Sequence, residues 1–580
     1  MRLAWALAAI LVAALLYLVI GPHRVGDYMT ETDFYGAYAQ GARLIQHGQL
    51  LPSRYGVIGP GYEVMLAVLG LAIGDLFVAS ELMSVAATAI TLLLWFDLLR
   101  RRANARVAFL AALFMATNAY LFRHGYGAMT DAPAIALQAA ALHLLLTRGS
   151  GRAMLGAGLL SAAAFLTRYN AIYLVPTGLI ALLAGGAPVA RRGRAALLFA
   201  AGFLAPLVPW VLYSLAHGGG FSLQLHHNIA YEVFARARNI PWDVYQRDMQ
   251  PQFRTLWDVI AHDPGAVARR MLFNIGDHLR LDVVQLLSWP VGLAAALAAT
   301  WRVQANVFDQ LPVEVLECAK TLRTLRQPGD RVIARKLHIA YHGGVDPLAF
   351  PFAKQLPELA RYARENRARW LFFSWPEAET RPDFEYLLDT TATVPGLTVR
   401  CSTRPHPAVL YEIGADFGKT PGWFANDTLV AWHNASSELL LDGGNPKLLY
   451  RVGGLAWMMG RHAEARKALE LVVRLQPDNL DALLLLGSTL VSMGDAARAR
   501  LIYTRAASVS PGSPDAQLGL GWSALIAGRA EEAGRLWRPL ISATRNPELL
   551  HRMVALYRAL GDHEAEAEAL TTLRRIGGAP

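Results

Sequence analysis

Two aspartates in the first half of the chain are the residues best suited to chemistry. Asp33 lies in the segment Glu31-Thr32-Asp33-Phe34-Tyr35, and Asp131 follows Thr130. A carboxylate within hydrogen-bond reach of a hydroxyl group can take its proton as a general base. Each aspartate alone is equally well explained as a helix cap or an ordinary loop carboxylate. The prediction therefore depends on the pair, because acids at membrane depth are costly and are candidates for function.

Arginines on the same predicted side could bind a phosphate group. Arg168 stands at the end of an apolar run, within Thr167-Arg168-Tyr169-Asn170, and Arg54 and Arg123 are second choices. Guanidinium groups bind phosphate through paired, charge-assisted hydrogen bonds. The alternative interpretation of Arg168 is an arginine that only anchors a span at the interface.

Apolar runs divided by arginine clusters must position these residues. The 580 residues are 54% hydrophobic, with a mean hydropathy of +0.27, which is too apolar for an ordinary soluble protein of this size. With roughly 17 to 25 residues per span, the sequence predicts spans at 3–21, 78–99, 105–123, 132–147, 153–167, 171–185, 195–216 and 281–300. The first run is interpreted as an uncleaved span, since further apolar runs follow it.

The placement of arginine predicts the orientation. With Met1 inside, three clusters fall on the cytoplasmic side, as the positive-inside rule requires: Arg100, Arg101, Arg102 and Arg106; Arg148 and Arg152; and Arg191, Arg192 and Arg194. The run Tyr62 to Gly74 is then a short juxtamembrane helix in the interface. The outer face holds residues 22–77, 124–131 and 217–280. The net charge of +10 comes largely from these clusters, so a nucleic-acid partner is not indicated.

The composition changes after Thr300. Helical stretches at Val313–Leu325, Leu356–Asn366 and Phe384–Asp389 alternate with β-rich runs at Arg331–Ala334, Trp370–Ser374, Leu397–Ser402 and Ala408–Ile413. This alternation predicts a small α/β domain with a partly parallel sheet. His338, His342, Gly343 and Gly344 could line a pocket, although a connecting loop explains them equally well. Cys318 and Cys401 indicate neither a disulfide framework nor a cysteine metal site.

Residues 446–580 repeat with a period of 34 residues. Three sets share this spacing: Gly460, Gly494 and Gly528; Ala465, Ala499 and Ala533; and Gly453, Gly487 and Gly521, while Pro477 and Pro511 close two units. This pattern resembles tetratricopeptide repeats, which form an α-solenoid. A slipped fourth unit at Leu549 to Ile576 caps the array. Such arrays present a concave surface to a peptide or partner protein.

Residues 1–300 resemble the polytopic GT-C glycosyltransferases, including protein O-mannosyltransferases and the aminoarabinose transferases of lipid A. The resemblance depends on the order of five segments: Asp33 to Tyr38, Gly41 to Ile45, Pro60 to Tyr62, Met129 to Pro133, and Thr167 to Asn170. It implies an α-helical polytopic domain that moves a sugar from a polyprenyl phosphate to an acceptor at the outer, periplasmic face of the inner membrane. Direct displacement would invert the anomeric centre.

The resemblance also implies roles for single residues. Asp33 would be the general base, and Asp131 would orient the acceptor or the donor. Substrate contacts are expected from Arg168, Arg54, Arg123, Tyr35, Tyr62 and Asn170. Some relatives bind a divalent metal ion with a juxtamembrane glutamate and a loop histidine. Glu63 with His226 and His227 occupies comparable places, but ordinary interfacial polar residues explain this set too.

The predicted organisation has four parts: a GT-C-like domain at 1–300, a small α/β domain at 301–420, a linker at 421–445, and repeats at 446–580. The first functional interpretation is a membrane glycosyltransferase whose partners are a polyprenyl-linked sugar, a lipid, glycan or protein acceptor, and a protein bound by the repeats. The alternatives are a non-enzymatic repeat scaffold with a degenerate transferase core, and a polysaccharide ligase or polymerase. Eight spans place residues 301–580 in the cytoplasm, whereas the resemblance implies more spans and the outer side.

Overall fold

The protein is described by a computed structural model that covers residues 2–55, 59–184, 189–219, 225–281 and 292–577. The chain divides into two compact units. The first, which we call the membrane unit, contains Met1–Thr324 and Ala334–Ala349. The second, the repeat unit, contains Leu325–Ile333 and Phe350–Pro580.

The membrane unit is built of helices, as its apolar runs predict. They are α1 (Arg2–Ile20), α2 (Ala39–Gln46), α3 (Gly61–Ile73), α4 (Leu76–Arg102), α5 (Ala105–Ala116), α6 (Ala119–His124), α7 (Asp131–Thr147), α8 (Gly151–Thr167), α9 (Leu174–Leu183), α10 (Val189–Ala216), α11 (Leu225–Ala230), α12 (Trp242–Asp248), α13 (Leu256–His262), α14 (Pro264–Leu281), α15 (Gly292–Asp309), α16 (Val313–Leu325) and α17 (His338–Gly343). Among the described residues, α1, α4 and α10 are long and apolar enough to cross a membrane.

The other predicted spans are shorter helices, and two are interrupted. The run 105–123 is divided between α5 and α6, because the side chain of Asn118 accepts from the backbone N–H groups of Tyr120 and Leu121 and begins a new helix. The run 171–185 starts as a 3-10 helix at Tyr169–Tyr173 and continues as α9. Of the predicted span 281–300, residues 282–291 lie outside the described residues. The predicted juxtamembrane helix is α3.

Glycines set the close approach of α8 and α10. A Cβ atom at Gly158 would collide with the backbone of Phe199, and one at Gly202 would collide with the backbone of Leu155. Small residues allow helix backbones to pack closely where lipid provides no hydrophobic driving force. This contact holds α8, whose end leads directly into Arg168.

The membrane unit has a basic end and an acidic end. At the basic end, Asp97 forms ion pairs with Arg100, Arg101 and His143, and Arg102 donates to the carbonyl oxygen of Leu146. The acidic end carries His23, Asp27, Glu31, Asp33 and Asp131, which follow α1 or begin α7. The separation agrees with a single orientation under the positive-inside rule.

Helix α15 ends at the acidic end. Thr300 donates to the carbonyl oxygen of Thr117 at 2.6 Å, and Gln304 donates to that of Ala119 at 3.2 Å. The ring of Phe308 stacks on Tyr126, with centroids 5.9 Å apart. The chain therefore leaves α15 on the side of Asp33. The eight-span count, which put residues 301 onward on the opposite side, is wrong for 301–324 and 334–349.

The repeat unit begins with a small mixed sheet. The strands of the chain are β1 (Arg331–Ala334), β2 (Asp346–Ala349), β3 (Trp370–Ser374), β4 (Leu397–Thr403) and β5 (Ala408–Ile413). Strand β1 is parallel to β3, with Val332 opposite Trp370, whereas β5 is antiparallel to both β3 and β4. The predicted strands and the partly parallel pairing are confirmed. Strand β2 is additional and belongs to the membrane unit.

Helices surround this sheet and form the repeats. They are α18 (Leu356–Glu365), α19 (Trp375–Thr380), α20 (Asp427–Leu441), α21 (Pro446–Met458), α22 (His462–Leu475), α23 (Leu480–Ser492), α24 (Ala496–Val509), α25 (Pro514–Ile526), α26 (Ala530–Trp537), α27 (Pro547–Leu560) and α28 (His563–Arg575). The predicted helix at Phe384–Asp389 is a 3-10 helix at Pro382–Leu388. The stretch 421–445, predicted as a linker, contains α20, and its Trp432 packs in the core of the repeats.

The repeat pattern has a direct structural basis. Gly460, Gly494 and Gly528 adopt φ of 73°, 76° and 75°, a left-handed conformation that favours glycine at the end of a helix. The equivalent alanines, Ala465, Ala499 and Ala533, are fully buried. A Cβ atom at Gly453, Gly487 or Gly521 would press on a large side chain, which is Leu469, Tyr503 or Trp537 respectively. The fourth unit is α27 and α28, as predicted.

The structure also corrects the expectation for the cysteines. Cys318 on α16 of the membrane unit is disulfide-bonded, and so is Cys401 on β4 of the repeat unit. Two cysteines give no spacing pattern in the sequence, because any two cysteines are compatible with free thiols.

Candidate functional site

Arg168 and Asp131, both predicted as site residues, are joined by an ion pair. The Nη1 atom of Arg168 lies 2.8 Å from Oδ2 of Asp131 and 2.9 Å from the hydroxyl oxygen of Thr130. Asp131 stands in the first turn of α7, but no side-chain cap bond forms at this helix end. The Asp131 carboxylate thus binds the guanidinium group of Arg168. A helix cap alone would not require this interaction.

Asp33 lies at the same site and does not cap the helix that follows it. A π-helical turn, Phe34–Tyr38, begins directly after Asp33, and no side-chain cap bond forms there. Turns of this kind are frequent at functional sites. Burial among the surrounding atoms raises the pKa of the Asp33 carboxyl group, while the positive charges of Lys336 and Arg168 lower it. The side chain nevertheless keeps an exposed surface.

Tyr38 interacts electrostatically with both aspartates. Burial raises the pKa of the Tyr38 hydroxyl to about 12, and the negative charges of Asp33 and Asp131 add to this effect. Its ring packs edge-on against Tyr62, with centroids 5.0 Å apart. Asp33, Asp131, Arg168 and Tyr38 therefore act on one another within a single site, as the sequence predicts for the first three.

A buried charge network connects the two segments that carry the aspartates. Glu31, which is fully buried, accepts from the backbone N–H of Ala128 at 2.7 Å and from Arg123 at 2.7 Å. His23 contacts Glu31 at 3.1 Å and Glu81 at 2.6 Å. The loop before Asp33 is thereby fixed to the loop before Asp131. We call these residues, together with Asp27, the Glu31 network.

The electrostatics of this network favour the charged forms of Glu31 and His23. Burial alone would raise the pKa of Glu31, but His23 and Arg123 outweigh it and hold that pKa well below its usual range. Burial would likewise lower the pKa of His23, yet the carboxylates of Glu31 and Glu81 raise it to about 9. Buried charges of this kind persist only when they are paired and hydrogen-bonded.

Several residues predicted to contact substrate are engaged within the protein instead. Arg123 is buried and pairs with Asp27 at 2.6 Å as well as with Glu31. Tyr35 is 2% exposed, and its hydroxyl group accepts from the N–H of Gly26. Tyr62 is 3% exposed and hydrogen-bonds Ser80.

The remaining predicted contacts lie nearer the surface. Arg54 is exposed and donates to the carbonyl oxygen of Ala37 at 3.0 Å. Asn170 is exposed on the 3-10 turn after Arg168.

The expected metal ligands form no metal cluster. The carboxylate of Glu63 is buried and accepts a hydrogen bond from the hydroxyl group of Tyr55. The rings of His226 and His227 pack against each other, with centroids 3.9 Å apart. Within the part of the chain that the structure describes, no group of three or more histidine, cysteine, aspartate or glutamate residues is arranged to hold a metal ion. The residues present do not fit a resident ion.

An apolar groove lies beside Arg168. Its volume is about 360 Å³, and its lining is almost entirely apolar. The lining residues are Pro60, Gly61, Val64, Met65, Leu159, Ala163, Leu166, Thr167, Pro206 and Trp210. Thr167, the residue before Arg168, is part of this lining.

Three residues of the site were not predicted from the sequence. Glu81 gave a usable signal, because a glutamate near the start of an apolar span is rare. His124 was not predicted either: burial and the positive charges of Arg123 and Arg168 lower its pKa, whereas the negative charge of Asp131 raises it. Lys336 gave no signal, because it lies about 300 residues after Asp33 and outside every apolar run.

Comparisons with known proteins identify both parts of the chain. Residues 60–213 match the model of the family described as dolichyl-phosphate-mannose-protein mannosyltransferase. This match contains Asp131 and Arg168. Residues 446–479 and 480–513 each match the tetratricopeptide repeat model. No curated protein matches the chain.

Three solved structures resemble the chain at low identity. ArnT from Cupriavidus metallidurans bound to undecaprenyl phosphate is 13% identical, covers 70% of this chain and 97% of its own, and has a TM-score of 0.43. The oligosaccharyltransferase of Archaeoglobus fulgidus, in complex with zinc and sulfate, is 13% identical over 70% of this chain and 73% of its own, with a TM-score of 0.36. MamA is 20% identical over 26% of this chain and 88% of its own, with a TM-score of 0.24. Residues 60–213 are therefore similar to the dolichyl-phosphate-mannose-protein mannosyltransferase family, and tetratricopeptide repeats follow in the C-terminal part of the chain.

Proposed function

We propose that the protein moves one sugar from a polyprenyl-phosphate donor to an acceptor hydroxyl group at the outer face of the membrane, with inversion. The observation that carries the proposal is the arrangement around Arg168. This side chain binds Asp131 directly and acts electrostatically on Asp33. One cation and two carboxylates therefore meet where the outer segments converge.

The reaction is a single displacement. The acceptor oxygen forms a bond to the anomeric carbon while the bond from that carbon to the phosphate oxygen breaks. Asp33 takes the proton of the acceptor hydroxyl group, and its raised pKa makes it a stronger base near neutral pH. The leaving phosphate keeps the electron pair, and Arg168 stabilises its charge. Asp131 keeps the guanidinium group in position.

The apolar groove suits the lipid part of the donor. A polyprenyl chain is branched and apolar, and the groove residues offer almost no polar surface. An isoprenoid lying between α3 and α8 would place its phosphate near Arg168. A lipid phosphate requires an apolar groove for its chain and a nearby cation for its phosphate.

Three observations support the outer face as the location of the reaction. The arginine clusters lie at the opposite end of the membrane unit from Asp33, which fits a cytoplasmic position for the clusters. Helices α15 and α16 lie at the acidic end, where Tyr28 donates to Glu314 at 3.0 Å. Cys318 of α16 is disulfide-bonded, and disulfide bonds persist in oxidising compartments. In a bacterial cell this is the periplasmic side of the inner membrane.

The repeats give the protein a second role. Arrays of helix pairs bind peptides or proteins on their concave surface. We propose that residues 446–580 bind a protein partner and bring it to the transferase.

A transfer assay with Asp33→Asn tests the proposal. Membranes that carry the full-length protein are incubated with labelled polyprenyl-phosphate sugars, and the label that leaves the lipid fraction is measured. Asp33→Asn should abolish transfer, because an amide cannot take the proton. Asp309→Asn, at an exposed position at the end of α15, is the matched control and should transfer normally.

Two results would contradict this assignment. Equal transfer by wild type and Asp33→Asn would remove Asp33 as the base. Absence of transfer by the wild type with every donor, together with intact capture of a partner by the repeats, would favour the membrane-anchored scaffold.

A further inference from the structure

A segment that follows the last membrane helix packs onto the loop that carries Asp33. This segment, Ala334–Ala349, contains α17 and β2 and belongs to the membrane unit. We call it the return segment. The ring of its His338 lies over Tyr35, with centroids 3.9 Å apart, and Nε2 of His342 lies 3.2 Å from the Tyr35 hydroxyl oxygen. The return segment thus contacts the residues immediately after Asp33.

Further contacts fix the return segment to the start of α4. The hydroxyl oxygen of Tyr341 accepts from the backbone N–H of Phe77 at 3.1 Å, and the guanidinium group of Arg43 lies 4.7 Å from the Tyr341 ring centre. His338 is fully buried, and its Nε2 atom lies 3.3 Å from the carbonyl oxygen of Asp27. These histidines are neither a pocket lining nor a connecting loop, the two interpretations that the sequence left open. They belong to a packed aromatic interface.

Lys336 brings a positive charge to the site from this segment. Its ammonium nitrogen lies 2.5 Å from the carbonyl oxygen of Tyr28 and 3.2 Å from the hydroxyl oxygen of Thr32, the residue before Asp33. Arg168 approaches from the end of α8 and pairs with Asp131. The charged groups that act on Asp33 therefore come from two elements that are far apart in sequence.

We propose that the return segment completes the transferase site and that Lys336 is a positioning residue, which holds the loop of Asp33 and keeps its carboxylate ionised opposite Arg168. This inference rests on the proposed function, since it assigns Lys336 a part in the same reaction. The membrane helices alone would then lack one of the two cations of the site. A segment of the membrane unit that lies outside its membrane helices thus contributes to the site.

A lysine with only a structural role would have a different effect on the pH dependence of activity. If Lys336 only tied the loop in place, its removal would lower activity by the same factor at every pH. If its charge acts on Asp33, its removal favours the protonated carboxyl group. The acid limb of the pH profile then moves to higher pH, and activity falls most where Asp33 becomes protonated.

Chemical labelling of Asp33 measures this effect without an activity assay. The full-length protein in detergent is treated with a carbodiimide and glycine ethyl ester across a pH series, and labelling of Asp33 is followed by peptide mass spectrometry. We expect the labelling midpoint to rise by about one pH unit in Lys336→Met, the size typical of a nearby charge. Lys336→Arg keeps the charge and should keep the midpoint within a few tenths of a unit.

Lys320→Met is the matched control, because Lys320 is exposed on α16 of the same unit. It should label as the wild type does. An unchanged midpoint in Lys336→Met, or an equal shift in Lys320→Met, would overturn the proposal. Unchanged labelling of the other carboxyl groups in Lys336→Met shows that the variant is folded.

The transfer assay then separates the two proposals. Lys336→Met should lose up to about tenfold in kcat/KM at a pH well below the wild-type labelling midpoint, one pKa unit of effect, and the loss should shrink at a pH well above it. A uniform loss at both pH values would overturn the electrostatic role of Lys336. If the wild type transfers no sugar while the labelling midpoint shifts, the proposed function fails but the action of Lys336 on Asp33 stands.

Discussion

The guanidinium group of Arg168 lies 2.8 Å from the carboxylate of Asp131, although 36 residues separate them along the chain. The pair joins the residue that directly follows α8 to the first turn of α7, and these two helices pack along each other. One side chain of the pair is cationic and 39% exposed, so it can still reach a ligand.

Loss of the Arg168 guanidinium group should destabilise the transition state of sugar transfer more than it destabilises the folded protein. Arg168→Gln removes the cation that meets the leaving phosphate, and we expect kcat to fall by about 10² to 10³. Arg168→Lys should recover only part of this, since an ammonium group lacks the planar pair of donors. Arg152→Gln, at the exposed opposite end of α8, is the control. Comparable losses in Arg152→Gln would contradict a specific role for Arg168.

Filling the apolar groove should impair donor binding. Ala163 lines the groove on α8, and Ala163→Phe adds a ring where the isoprenoid would lie. We expect a higher KM for the polyprenyl-phosphate sugar, with less change in kcat at saturating donor. Ala153→Phe lies outside the groove on the same helix and serves as the control. An unchanged donor KM in Ala163→Phe would argue against a lipid chain in this groove.

The stability of the membrane unit should fall at alkaline pH. The pKa of His23 is raised to about 9 in the folded protein, whereas an unfolded histidine has a pKa near 6.5. The protonated ring therefore stabilises the fold fully below pH 6.5, and this contribution is lost as the pH rises through about 9. Thermal unfolding in detergent at pH 6, 8 and 10 should show this decline.

His23→Gln is the variant that isolates the effect. It removes the titrating group that faces Glu31 and Glu81, so its unfolding temperature should start lower at pH 6 and depend less on pH. The same alkaline decline in His23→Gln as in the wild type would assign the pH dependence to other groups.

Two adjacent glycines of α21 should respond oppositely to alanine. A Cβ atom at Gly453 would lie 2.8 Å from Cγ of Leu469, so Gly453→Ala should destabilise the first repeat by about 1 to 3 kcal/mol through overpacking. At Gly454 the nearest atom is 3.7 Å away, so Gly454→Ala should be neutral or stabilise the helix by up to about 1 kcal/mol. Hydrogen exchange of residues 446–479 in the full-length protein measures both. Equal exchange in the two variants would contradict the packing explanation.

Local patterns in the sequence predicted much of the fold. The 34-residue period identified the repeats because close packing requires glycine or alanine at the same positions of every unit. The strands β1, β3 and β5 were predicted at their observed bounds, since short β-rich runs are separated by polar turns. The break at Asn118 was missed because apolar residues continue on both sides, and only the side-chain cap divides the run.

The candidate site was predictable only where its residues stand in motifs. Asp33, Asp131 and Arg168 belong to segments with a recognisable order; Arg168 contacts Asp131 and acts electrostatically on Asp33. Tyr35 and Tyr62 share those segments but are buried, because position in a motif does not fix the direction of a side chain. Lys336 and the Glu31 network depend on contacts between remote parts of the chain, which no local pattern encodes.

The end of α15 has a consequence for how the protein is made. Gln304 and Phe308 hold the chain at the acidic end, and the return segment, which is synthesised after them, packs at this same end. If that side is the periplasm, the export machinery must carry the return segment through the membrane before it can pack on the loop of Asp33. The site would then be complete only after translocation of this part of the chain.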